Sequence, residues 1–296
     1  MHKRELQRII GDYLFLSPQL ILYVGLTILP FIIAIPVLFT DRANFSDPEV
    51  NSVGLSNFTR ILEDDTVKDV YWPALMRTVR FTLLNYIMVY AFGLTLALLM
   101  FEFGMKTGFF TIIFLPWMIS GLALGYIATM LLSPNTGTLN LLLLEYGILE
   151  KPINIKLPSG TTVILPILVG WKAAGFNMAI FLSGMLGIPT ETIEASIVDG
   201  ATYWQRLFRI YFPQMIPSFV IATIFCLLGS FNLFDELVAL GGLYENPEAR
   251  FLSIVFFQYG FQMDRLALGM TLAVETGVPL VVLGMMLQRL QRRFDY

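Results

Sequence analysis

Apolar and polar positions along this chain separate into long blocks rather than alternating. Apolar stretches run near residues 13 to 39, 80 to 101, 108 to 132, 162 to 187, 212 to 234 and 266 to 288. At 1.5 Å rise per residue each is long enough to cross about 30 Å of hydrocarbon. The pattern predicts an all-α membrane protein of six transmembrane helices. The first stretch, Tyr13 to Thr40, is too long for a signal peptide's apolar region and has no small-residue cleavage site, so it reads as a retained helix.

An even number of spans puts both termini on one side. Lys3, Arg4 and Arg8 precede the first stretch, and Arg289, Arg292 and Arg293 follow the last. The positive-inside rule therefore predicts that both termini are cytoplasmic. Segments 40 to 79, 133 to 161 and 235 to 265 then lie outside, the first carrying Glu63, Asp64, Asp65 and Asp69. The cytoplasm receives a turn near Lys106 and the loop from Pro189 to about Tyr211. Arg77 and Arg80, at the outer end of the second span, run against the rule, but the cytoplasmic loops are shorter and denser in charge. The expected division is an N-terminal segment 1–12, a transmembrane domain 13–291 that includes the loop 189–213, and a tail 292–296. Pro18, Pro30, Pro36, Pro116, Pro166, Pro213, Pro217 and Pro279 lie in or beside the spans, where they can kink helices.

Composition agrees with burial in lipid. The 296 residues are 56% hydrophobic and 14% charged, with a mean hydropathy of +0.70, against about 45–50% apolar and about 25% charged in soluble domains. One cysteine, Cys226, and one histidine, His2, exclude an intrachain disulfide and a Cys/His zinc site. A net charge of −3 with no basic block gives no footprint for nucleic acid. No Gly-x-Ser-x-Gly or His-Glu-x-x-His constellation is present, so no nucleophile and base are visible for an intramembrane enzyme.

The segment Pro189 to Pro213 carries the most information. Pro189 ends the fourth span, Thr190 is a candidate N-cap, and Glu191 and Glu194 favour a helix start. Ile193 and Ile197 share one face, and Asp199-Gly200 is a stop signal. Beyond it, Tyr203, Trp204, Leu207 and Phe208 fall on one side, and Gln205, Arg206 and Arg209 on the other. The expectation is two short amphipathic helices with a sharp bend. Amphipathicity alone suits headgroup-layer packing equally well.

The same segment resembles the cytoplasmic loop of binding-protein-dependent ABC importer permeases, Glu-Ala-Ala, three residues, Gly, nine residues, Ile-x-Leu-Pro. Here Glu194, Ala195 and Ser196 are followed after three residues by Gly200, then after nine by Ile210, Tyr211, Phe212 and Pro213. Ser196 and Phe212 are mild departures, and Asp199, Gly200 and Ala201 match the Asp-Gly-Ala of the family's sugar branch. Weaker similarity to maltose-type and glycerol-3-phosphate-type permeases, the first partner of the pair, covers nearly the whole chain. It includes Leu14 to Pro18, Val53 to Phe58, Trp171, Lys172, Gly175, Phe176 and Phe231 to Asp235. Gly241 to Tyr244 departs from the family's Gly-Gly-Pro stretch.

The resemblance implies a type I ABC importer permease in a bacterial or archaeal cell (inner) membrane. Its implied partners are a second, unlike permease, an ABC ATPase dimer, an extracytoplasmic solute-binding protein and a sugar-like solute. It implies that Glu194, Ala195, Ser196, Asp199, Gly200, Ala201, Ile210 and Pro213 form the joint receiving the ATPase stroke. The sequence has no Walker-type loop, so ATP and Mg belong to the ATPase and no cofactor is expected on this chain.

Candidates for a solute path are Trp171, Lys172, Asn177, Phe231, Asn232 and Asp235, where polar groups adjoin aromatic rings. Lys172 and Glu275 each admit a structural reading, snorkelling or pairing with a partner subunit, beside a functional one. The alternatives are a self-contained secondary transporter or channel using Lys172, Glu275 and Asp235, and an ABC importer permease for a non-carbohydrate solute. Six spans without an inverted second half speak against the first.

Overall fold

In the computed structural model, residues 3–104 and 107–292 are described, with side chains from Gly11 to Gly104 and from Gly108 to Arg292. The side chains of Lys3, Arg4 and Arg8, and Lys106 and Arg293, all used for the orientation argument, lie outside this range. The helices are α1 (Gly11–Phe39), α2 (Ser56–Glu63), α3 (Asp65–Phe103), α4 (Gly108–Met118), α5 (Gly121–Leu131) and α6 (Thr138–Glu145). They continue as α7 (Gly160–Leu186), α8 (Thr190–Val198), α9 (Tyr203–Arg206), α10 (Ile216–Phe231), α11 (Asp235–Ala239), α12 (Leu252–Phe257) and α13 (Leu266–Gln291). Among the described residues, five helical stretches, counting Ile216–Ala239 as one, are long and apolar enough to span a membrane; α4 with α5 makes a sixth.

Two of these spans differ from the sequence pattern. The second begins at Asp65, not near residue 80. Its first half hides Val67, Tyr71, Ala74, Thr78 and Phe81 at helical spacing, while Asp69 and Arg80 point outward. A narrow apolar stripe was thus masked by charge in a hydropathy reading. The third span is broken by 88° between α4 and α5. Pro116 sits in a tight turn at Leu115–Met118, Ile119 is extended, and the Ser120 hydroxyl caps α5 by accepting from Ala123 N at 3.2 Å.

The chain divides into two units, residues 1–65 with 257–272, and residues 66–256 with 273–296. In the first, Asn57 holds the end of α1 by donating to the carbonyls of Leu38 (2.9 Å) and Thr40 (2.8 Å). Leu266 N and Ala267 N donate to Ala43 O and Arg42 O, which ties the start of α13 to the loop after α1. The most apolar window of α1 has none of its residues buried.

The second unit holds two packed clusters. Phe81, Leu165, Leu233, Leu237, Phe251 and Ile254 belong to one. Ala97, Met178, Phe181, Met185, Leu207, Tyr211 and Met215 belong to the other. Glycines let the helices approach closely. A Cβ on Gly170 would lie 2.5 Å from Met88 Cβ, and one on Gly175 2.6 Å from Phe114 Cα. Gly121 and Gly125 do the same for α5 against α11, where added Cβ atoms would meet Glu236 Cδ at 2.7 Å and Ala239 Cβ at 2.5 Å.

Candidate functional site

Along three helices of the second unit, polar side chains fall between the two clusters. On α3 they are reached between Phe81 and Ala97, on α7 between Leu165 and Phe181, and on α10 and its C-terminal turn between Ala222 and Leu233. There the wall opens into a cavity of about 670 Å³, well inside the about 300–1,000 Å³ range of small-molecule sites. Its polar lining is Asn85, Lys172, Asn177, Asn232 and Glu236, with Cys226 beside them. Trp117 and Phe176 supply a stacked aromatic pair, ring centroids 4.7 Å apart at 12°, and Phe225 meets Phe176 edge-on at 5.3 Å. Trp117 reaches the cavity because the chain breaks beside it.

Lys172 Nζ donates to Glu236 Oε1 at 3.0 Å, with side-chain exposures of 15% and 8%. The lysine therefore has a partner inside its own chain. Asn85 Nδ2 donates to Ser230 Oγ at 3.2 Å and lies 3.6 Å from Cys226 Sγ, while Asn85 Oδ1 is buried without a hydrogen bond. Asn177 donates to Ala173 O at 2.9 Å. A smaller recess of about 230 Å³ is lined by Gly121, Lys172, Asn232, Phe234, Asp235 and Glu236.

Of the sequence candidates, Lys172, Asn177 and Asn232 line the cavity, and Asp235 the adjoining recess. Trp171 does not; it lies on the other side of α7, in an apolar pocket with Phe92, Leu124 and Ile127. Phe231 lines neither space. Adjacent residues on a helix point about 100° apart, so a polar residue and its sequence neighbour seldom share a cavity. The aromatic partner of Asn177 is instead Phe176 with Trp117. Asn85, Trp117, Phe225 and Glu236 were not among the candidates, although Glu236 next to Asp235 was a visible charge at a span's end. Glu275 Oε2 is buried with no hydrogen-bond partner among the described residues and is absent from the cavity's lining.

The loop 189–213 forms the two expected helical stretches and bend, with corrected details. Pro189, not Thr190, occupies the N-cap of α8, and no side chain caps it. The buried face is Ile193 with Ser196; Ile197 is 53% exposed and Val198 86% exposed. The reason is spacing, since positions 193 and 196 already complete one turn of contact. Gly200 has φ +76°, with Ala201 N donating to Ser196 O and Gly200 N to Ile197 O, both at 3.0 Å. This is the left-handed termination that glycine makes inexpensive. Thr202 then starts α9 with a capping box, Gln205 Oε1 accepting from Thr202 N at 2.8 Å.

From the start of α9, Tyr203, Leu207, Tyr211 and Met215 pack into the second cluster at helical spacing. Trp204 and Phe208, expected on the same side as Tyr203 and Leu207, stack on each other and face outward. Arg206, expected on the polar side, is half-buried and donates to Ala201 O at 3.1 Å. Burial raises the pKa of the Tyr203 hydroxyl, and Glu102 nearby adds to it. Glu194 and Ala195 are exposed, Ala201 and Ile210 half-buried, and Pro213 exposed.

Known proteins share this architecture. The chain is 28% identical over 271 residues to a probable starch degradation products transport system permease protein of Thermoanaerobacterium thermosulfurigenes, covering 88% of this chain and 87% of that one. It is 29% identical over 265 residues to a trehalose transport system permease protein of Mycobacterium tuberculosis, covering 88% and 82%. A chain in the crystal structure of a bacterial ABC transporter that imports the acidic polysaccharide alginate superposes with a TM-score of 0.79 at 22% identity, over 99% of both chains. The fold is thus that of a type I ABC importer permease. A second structure of an alginate transporter, in complex with an alginate pentasaccharide-bound periplasmic protein, gives the same TM-score over 98% and 96%. Residues 89–295, which include the cavity wall from Val89 onward and the entire loop, match the binding-protein-dependent transport system inner membrane component family, and the chain belongs to it.

Proposed function

We propose that this protein is one permease subunit of an ATP-driven importer for sugars, carrying half of the translocation path. The observation that carries the proposal is the pairing of a largely apolar, aromatic-walled cavity holding a few amide and charged groups with a family-matched loop whose helix α8 turns Glu194, Ala195, Ile197 and Val198 outward. An apolar tip exposed beside a carboxylate suits a protein partner's groove better than water.

In this reading, α8 seats on an ATPase subunit, and ATP with Mg is held there rather than on this chain. Leu207, Tyr211 and Met215 root the loop in the cluster shared with Phe181 and Met185 of α7. A stroke on α8 is then delivered to the helices that wall the cavity. Rocking of packed helices about a central site is alternating access, and it requires a stiff joint. The close-packed root, the capping box and the glycine termination supply that stiffness. A second, unlike permease completes the cavity, and a solute-binding protein delivers the sugar from outside, both termini lying in the cytoplasm.

The sugar class is supported by the starch-product and trehalose transport names of the relatives and by the cavity's chemistry. Amide and carboxylate groups beside stacked rings suit hydroxyl-rich solutes with apolar faces. The test is reconstitution of the complex purified through this chain into proteoliposomes, with ATP inside and the cognate binding protein plus labelled oligosaccharide outside. Accumulation that requires both ATP and the binding protein is expected. Uptake driven by an ion gradient without ATP would overturn the proposal.

A further inference from the structure

We infer that the cavity admits uncharged sugars and excludes uronates and sugar phosphates, and that the Lys172–Glu236 pair sets this selectivity. The inference rests on reading the cavity as the solute path. Among the residues lining it, Lys172 is the sole cation and Glu236 the sole anion, and they are joined at 3.0 Å. The recess beside it adds Asp235 and no further cation. This chain's own contribution to the charge met by a solute is therefore zero at the cavity and negative at the recess.

An entering carboxylate or phosphate has two options, both unfavourable. It can stay unpaired near Asp235 and Glu236, where it meets like-charge repulsion. Alternatively it can take Lys172 for itself, which strands the carboxylate of Glu236, 8% exposed, without a counter-ion. Gly121 holds Glu236 in place, because α5 approaches so closely that a Cβ there would lie 2.7 Å from the carboxylate. A neutral sugar disturbs none of this. Asn232, exposed on the cavity wall, offers a neutral amide to a solute hydroxyl. The stacked Trp117 and Phe176 offer a flat apolar surface to the sugar ring.

Cys226, the single cysteine, lines the same cavity and serves as the reporter. The complex purified through this chain is placed in nanodiscs and treated with neutral and anionic methanethiosulfonates of similar size, each rate normalised to the unfolded chain. The anionic reagent is expected to be slower on the order of tenfold, the scale of one unit charge about 12 Å away at an effective dielectric constant near 20. In Glu236→Gln the unpaired Lys172 should remove that deficit or reverse it. Maltotriose should protect Cys226 in the native complex and trigalacturonate should not, with the acid gaining protection in Glu236→Gln.

Equal rates for the two reagents in the native complex, or a ratio unmoved by Glu236→Gln, overturn the charge-selective reading and leave the cavity as a path. So does protection of the native complex by trigalacturonate. If the neutral reagent reaches neither Cys226, 6% exposed, nor a Gly229→Cys reporter exposed on the same cavity, or no sugar protects either, the cavity is not the solute path, and both readings fall.

Discussion

Gly121 opens α5 directly against Glu236, at a distance where a single added carbon would lie 2.7 Å from the Glu236 carboxylate carbon and 2.7 Å from Asp235 Cβ. The backbone break after Trp117 therefore does two things. It swings Trp117 into the cavity, and it brings a bare glycine against the acid that pairs with Lys172.

Replacing Gly121 with alanine should push Glu236 off Lys172. Overpacking of this kind costs about 1–3 kcal/mol. The variant complex should melt lower in detergent and take up less sugar. Gly108→Ala, where nothing lies within 4 Å, is the control and should be near neutral. Equal melting temperatures for both variants would contradict the close-packing account.

Gly200 separates conformation from space. Its φ is +76°, yet no atom lies within 4 Å of an added Cβ. Valine costs roughly 1–2 kcal/mol in left-handed backbone, whereas asparagine visits it readily. Gly200→Val should insert normally but lose coupling, hydrolysing ATP with little uptake, while Gly200→Asn should keep most transport. Normal uptake by the valine variant would count against the loop as a transmission joint.

The Lys172–Glu236 pair predicts a non-additive cycle. Removing one partner of a buried pair costs about 3–5 kcal/mol in dry interiors, and replacing both with apolar groups is often neutral. Here the cavity admits water to the lysine, so the single losses should fall below that range. Lys172→Met and Glu236→Leu should each destabilise the purified complex more than the double variant does. Additive losses in thermal melts would show that the two charges act separately.

Trp117 and Trp171 should behave differently although both are spanning-region tryptophans. Trp117→Ala removes one face of the stacked pair in the cavity, so uptake should drop several-fold with assembly intact. Trp171→Ala alters an apolar pocket away from the cavity and should leave the sugar dependence of uptake unchanged. The check is a half-saturation measurement for each variant in proteoliposomes.

Much of this was legible in the sequence because lipid imposes a strong, local signal. Twenty apolar residues in a row mark a span, and the Glu194 to Pro213 spacing marked the loop, including the turn at Gly200. The cavity was harder to read. Asn177 and Asn232 were found because an amide inside an apolar run is conspicuous. Trp171 and Phe231 lie off this cavity because adjacency in sequence is not adjacency on a helix. Trp117 depended on an 88° break that Pro116 hints at but does not specify, since most of the other prolines near spans produce no such turn. The Lys172–Glu236 contact joins residues 64 positions apart and leaves no local trace.

The most direct test of the central claim is to purify the tagged chain from its native membrane in mild detergent and identify what accompanies it by mass spectrometry. The account predicts an ABC ATPase and a second permease, the ATPase lost and the second permease kept when the exposed tip of α8 is altered by Ala195→Arg and Val198→Arg. A chain that emerges alone or only with copies of itself would contradict it, and a self-contained transporter built around Lys172 would become the better explanation.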